Sequence, residues 1–313
     1  INYHDQPGVE LSKKNMRKAV KEAKGLADVE IIPAELSGLA DAIKKLGVSV
    51  AKEIAFGKFK RASERKAFVQ DIILKGLNGV APSTKIKRIW FSQEAGPREI
   101  NPEGNFDIWV NSLDNPGNAD INTGTSGGLF GIYRSSEGES LTKENLLVSL
   151  IILCGPTITL IARTTIGGEP WVYDFVYDHN QAAFVARQRG GRETSIIEMK
   201  YKGSELAIQG RYSEWPPALR DFMEVEQRRT GKKVRISESV ADLYEMLIKG
   251  GLIAQPLNLG DALVWGSVIE VAGGMSLIMT QEGPISTQDI VLSPGDFRPE
   301  QLHYSYFGNT DVM

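Results

Sequence analysis

Apolar residues recur at helical spacing through the first quarter of the chain. Ser12 is placed to cap a segment carrying Met16, Ala19, Val20 and Ala23, which stops near Gly25. After Pro33, a second face is formed by Leu36, Leu39, Ala40, Ile43 and Leu46 and closes at Gly47. A third helix is predicted over 48–77, with Phe59, Ala62, Val69, Ile72 and Ile73 on one side and Asn78, Gly79 and Pro82 ending it. The pattern then shortens. Residues 86–91 and 106–110 read as strands, and 111–128, rich in Asn, Asp, Gly, Ser and Thr, as a loop or linker.

The apolar run 141–162 reads as a buried helix capped by Thr142 and broken near Pro156. Residues 171–177 alternate as a strand, and 196–201 with 206–208 read as a hairpin about Gly203. Helices are expected over 217–229 and 239–249, and strands over 262–271, 277–280 and 290–292. The expected fold class is therefore mixed α and β (α+β), a helix-rich N-terminal region followed by a mixed region of short strands and helices. Its expected divisions are 1–110, a linker at 111–128, a mixed domain at 129–280 and an acidic segment at 281–313. In that last segment Asp289, Asp296, Glu300 and Asp311 outweigh Arg298. No internal repeat and no low-complexity tract is present.

Composition adds mainly exclusions. A chain of 313 residues, 42% hydrophobic and 24% charged, has ample material for a core and is not a disordered chain. The net charge of -3 argues against a histone-like binder, so nucleic-acid binding would need local patches. Cys154 is the only cysteine, so no internal disulfide can form, and it sits in an apolar run that favours burial. With three histidines, a thiolate- or histidine-rich metal site is excluded, and no cofactor is implied. The start, Ile1 to Asp5, is polar, so no secretory leader is expected. The stretch 146–162 is short for a membrane span. The expected location is cytoplasmic or within a virion, with no membrane partner.

Four basic clusters stand out against the acidic balance. Lys58, Lys60, Arg61, Arg65 and Lys66 form the first, with Lys58, Arg61 and Arg65 on one helical stripe. Lys85, Lys87 and Arg88 precede Trp90 and Phe91, and Arg187, Arg189 and Arg192 surround two glycines. Arg228, Arg229, Lys232, Lys233 and Arg235 flank a Thr-Gly turn. Cations for phosphates beside rings that stack on bases are what a single-stranded nucleic acid requires. Any one cluster alone reads as a solvated face; it is the four together in an acidic chain that point to a polyanion.

Three other constellations carry chemistry. Gly124 to Gly128 matches the G-x-S-x-G elbow, with Ser126 as nucleophile and Asp289 or Asp296 and His303 as partners; the elbow demands a strand before the serine and a helix after it. Asp174, Asp178 and His179 could share a divalent cation, or simply line a solvated strand edge. Glu94, Glu99, Glu103 and Asp107 offer an acidic surface to another copy. Weighed together, these features lead to the expectation of a non-enzymatic protein that binds RNA or single-stranded nucleic acid and packages it by self-association, of nucleoprotein or coat type. A serine hydrolase using Ser126 and a protein-interaction scaffold are the rivals.

Overall fold

A computed structural model describes residues 32–308 except 57–61, 115–125, 137–139, 156, 167, 188–195, 198, 200–204, 210–211, 231–232, 237–239, 281–282, 295–297 and 299–300. Two 23-residue helices come first, α1 (Ala34–Phe56) and α2 (Ala62–Thr84). They are followed by β1 (Ile86–Phe91), β2 (Arg98–Glu99), β3 (Phe106–Asp114), β4 (Ser126–Arg134), β5 (Leu141–Thr142), β6 (Leu146–Cys154), β7 (Ile158–Ile166), β8 (Glu169–Asp178) and β9 (Ala183–Ala186). The second half contains β10 (Glu205–Ile208), α3 (Pro217–Thr230), β11 (Lys233–Ile236), α4 (Val240–Lys249), β12 (Gly251–Leu257) and α5 (Leu259–Val271). It ends with β13 (Met275–Thr280), β14 (Gly283–Ser286), β15 (Val291–Leu292) and β16 (His303–Gly308). The mixed α and β class read from the sequence is the observed one.

Eight strands form one sheet in the order β2-β1-β3-β4-β6-β7-β8-β9, and six form another in the order β11-β10-β12-β16-β13-β14. Both are mostly antiparallel. The exceptions are β1 with β3 in the larger sheet, and β10 with both β11 and β12 in the smaller. Three apolar cores hold five layers together, the central one filling both seams beside α4 and α5. α1 and α2 cover one face of the larger sheet through Leu36, Ile43, Val69 and Ile73, packed on Ile108, Phe130, Ile132 and Ile152. α4 and α5 lie between the two sheets through Leu243, Leu247, Val264 and Ile269, against Leu129, Ile151, Ile253 and Phe307. α3 covers the outer face of the smaller sheet through Leu219 and Met223.

Several sequence expectations give way for identifiable reasons. Gly47 does not end α1; a Cβ there would stand 2.1 Å from Ile152, so the glycine lets the helix lie directly on β6. Asn78 and Gly79 likewise fall inside α2. The predicted helix over 141–162 is instead β5, β6 and β7. Strands buried on both faces lose alternation and read as continuous apolar runs, which periodicity cannot tell from a buried helix. The reverse error occurs at 262–271, which is helix α5. Every residue from Gly260 to Ile269 is buried, so no amphipathic stripe marks it. β10 pairs in parallel with β11 and β12 rather than in a hairpin with 196–201, while Ile196 makes an isolated bridge to Tyr173. The predicted first helix near Ser12 lies outside the described residues. Among those described, no helix is long and apolar enough to cross a membrane.

Candidate functional site

In mixed α/β sheets the carboxyl ends of parallel strands, next to helix N-termini, are where ligands collect. Here the two parallel sets meet at such a place. β12 ends at Leu257, and the next residue, Asn258, caps α5 with extended backbone (φ -73, ψ 162). Its side-chain oxygen accepts from the Asp261 N–H at 2.9 Å, and its amide nitrogen donates to Asp261 Oδ2 at 2.9 Å. From β3, Trp109 Nε1 donates to Asp261 Oδ1 at 2.8 Å and Asn111 Nδ2 to Asp261 Oδ2 at 2.8 Å. One carboxylate thus ties the middle of β3 to the start of α5.

Asp261 is 4% exposed and Asn111 8%. A buried carboxylate is tolerated only with strong donors, and three side-chain donors plus the positive end of the helix dipole supply them. The Asn111 Oδ1 atom is buried without a hydrogen-bond partner. Nearby, burial pushes the Tyr133 hydroxyl far above its usual range, with the Asp261 charge adding to the effect and Arg163 opposing it. Burial lowers the Arg163 guanidinium, whose Nη1 donates to the Leu146 and Leu147 carbonyls at 2.9 and 3.0 Å.

None of Trp109, Asn111, Asn258 and Asp261 was singled out by motif. One signal existed: Asn258 and Asp261 stand in the N-x-x-D spacing of a reciprocal helix cap, just before the apolar run Ala262-Leu263-Val264-Trp265.

The basic clusters are placed quite differently. Lys58, Lys60, Arg61, Arg189, Arg192 and Lys232 lie outside the described residues. Arg65 is buried in α2, at 3% exposure, and Lys66 is half-buried beside it. Lys85 is exposed at the α2–β1 turn with φ 54, and Lys87 is half-buried. Arg88 is spent internally: its Nε and Nη2 each donate at 2.7 Å to the Asp107 carboxylate across β1 and β3. Arg187 donates to Thr159 Oγ1 at 2.7 Å and faces Asp174 at 3.4 Å. Arg228 pairs with Glu224 one turn earlier on α3, with Arg229 beside it in the chain. Lys233 and Arg235 belong to β11. β1 lies one strand from one edge of the larger sheet, Arg187 follows β9 at its opposite edge, and β11 is an edge of the other sheet. Among the described residues, the clusters therefore stand at separate places on the two sheets.

The other constellations also resolve into local tasks. Ser126 begins β4 and is followed by further strand, so the strand-turn-helix of an elbow is absent there; its hydroxyl is buried opposite Cys154 in the β4–β6 register. Asp289 sits in a 3-10 turn, His303 begins β16, and Asp296 lies outside the described residues. Asp174 accepts from the Tyr244 hydroxyl of α4 at 2.9 Å, Asp178 caps the turn at Asn180 and Gln181, and His179 packs edge-on against Tyr177. Glu94 is held by Arg98 and Gln70. Among the described residues, no group of three His, Cys, Asp or Glu could hold a metal ion.

The fold has known counterparts. The fructose-1,6-bisphosphatase of Leishmania major in holo form superposes with a TM-score of 0.75 at 19% identity, covering 95% of this chain and 94% of that one. In sequence, the class 1 fructose-1,6-bisphosphatase of Sorangium cellulosum is 24% identical over 285 residues, 77% of this chain and 78% of that protein. The class 1 enzyme of Microcystis aeruginosa is 23% identical over 306 residues, 95% of this chain and 79% of that protein. No family model matches. The expectation of a non-enzymatic RNA-packaging nucleoprotein or coat protein is overturned: a likeness running nearly the whole chain is to metabolic phosphatases. RNA as partner and a virion as location fall with it. At these identities the likeness establishes the fold, which is that of the fructose-1,6-bisphosphatases.

Proposed function

We propose that the chain is an enzyme of the phosphatase class acting on a phosphorylated sugar, with its site where β1, β3 and β12 end against the N-terminus of α5. The observation that carries this reading is the near-complete coverage by enzymes described as fructose-1,6-bisphosphatases, in sequence and in structure together. The geometry supports the location, because Asp261 joins the two parallel strand sets at one helix start. Fold alone would not carry a substrate, since folds host many activities; the sugar phosphate comes from the descriptions of the relatives.

Enzymes that hydrolyse phosphate esters commonly clamp the phosphate between divalent ions held by carboxylates. The side chains described at this corner do not fit such a clamp. Both oxygens of Asp261 accept N–H donors, and its neighbour on β3 is an amide, Asn111.

The test is release of inorganic phosphate from fructose-1,6-bisphosphate by the purified chain, with and without added divalent cation. Release above a mock preparation is the expected result. Absence of both phosphate release and calorimetric binding of the sugar phosphate would overturn the reading.

A further inference from the structure

At the corner where the parallel strands end, both oxygens of Asp261 are engaged where a divalent clamp would need open ones, while the amide oxygen Asn111 Oδ1 is buried there without a partner. A clamp requires hard oxygen ligands converging with lone pairs free. Asp261, the carboxylate nearest the helix start, has Oδ1 engaged by Trp109 Nε1 and Oδ2 by the amides of Asn111 and Asn258, all at 2.8 to 2.9 Å. Its negative charge is partly offset by the positive end of α5. The approach is also filled. The Trp109 indole lies so close to Gly260 that a Cβ there would meet the ring at 2.3 Å. A cation bound through both oxygens of Asp261 would have to compete with an indole and two amides, and any donor it displaced would lose a buried acceptor.

We propose that this chain engages its phosphorylated sugar without a divalent cation, Asp261 serving as a positioning residue that locks β3 to α5 instead of as a metal ligand. This rests on the sugar-phosphate reading above, and two separate measurements keep the two apart. The first is titration of Mn2+ alone into the full chain, followed by electron paramagnetic resonance. Free Mn2+ throughout is expected; a stoichiometric bound ion lost in Asp261→Asn would overturn the inference, whatever the sugar does. The second is calorimetry with fructose-1,6-bisphosphate in EDTA and in Mg2+. The same Kd in both buffers is expected. A loss of affinity in EDTA of about tenfold or more, a full factor of ten in Kd, would overturn the inference while sustaining the function. Absence of sugar binding in both buffers would sink the function, and the Mn2+ titration would still decide the cation question.

Discussion

Gly260 and Trp109 touch so closely that no side chain fits between them: a Cβ at position 260 would stand 2.3 Å from the indole. Helix α5 can therefore start directly on β3, which brings Asp261 within reach of Trp109 Nε1. Gly260→Ala sets two effects against each other. Alanine favours a helix by roughly 0.5–1 kcal/mol, least at a first turn. Overpacking a buried contact costs about 1–3 kcal/mol. The clash wins, so the urea midpoint should fall with an unchanged slope. An unaltered or raised midpoint would show that α5 can shift off the indole at no cost.

The Arg88–Asp107 pair, with side-chain exposures of 3% and 1%, is the most buried ion pair among those described. Removing one partner leaves the other charged in a dry interior, so Arg88→Met or Asp107→Leu alone should each cost about 3–5 kcal/mol. Replacing both together should cost much less than the sum, because an apolar pair of similar volume needs no solvation. A double-mutant cycle in urea measures this directly. Strict additivity would mean that the two residues stabilise the sheet independently.

How far the fold was legible depends on how each element meets solvent. α3 and α4 have one face partly open and β8 is open at its two ends, and they were readable in 217–229, 239–249 and 171–177. β1, buried except at Lys87, was readable in 86–91 from its β-branched and aromatic residues. β6 and α5 are covered on all sides, so Leu146 to Cys154 resembled a helix and Ala262 to Val271 a strand. The site was hidden for a related reason. Asp261 and Asn111 stand 150 positions apart and meet only through tertiary packing. Basic residues drew attention instead, yet Arg65 and Arg88 are buried, and Arg88 is paired inside the protein with Asp107. A sequence cluster of cations carries no information about which of them face water.

Burial raises the Cys154 thiol from 9.0 to about 12 and the Tyr173 hydroxyl from 10.0 to about 12. Folding thus favours their neutral forms. The corresponding stability is complete below the ordinary values and is lost as pH rises, between 9.0 and about 12 for Cys154 and between 10.0 and about 12 for Tyr173. Urea midpoints should therefore decline across this alkaline window, and Cys154→Ala should flatten the earlier part of the decline. A thiol reagent at neutral pH should label the protein only after unfolding, since the thiolate is the reactive form. Rapid labelling of the native chain would contradict the burial of Cys154.

Ser126 offers a test that bears on function as much as on stability. A serine hydrolase would need its hydroxyl exposed on a turn and hydrogen-bonded to a base, and losing that hydroxyl would cost several orders of magnitude in turnover. Here the hydroxyl is buried at 1% residue exposure within β4, with no hydrogen-bond partner. Taking a desolvated, unpaired hydroxyl out of a sheet is neutral to stabilising, by up to about 1 kcal/mol. Ser126→Ala should then keep its phosphate release and gain or hold its urea midpoint, and a serine-reactive phosphonate should leave the native protein unlabelled. Loss of turnover in this variant, with its midpoint intact, would return the serine to the chemistry.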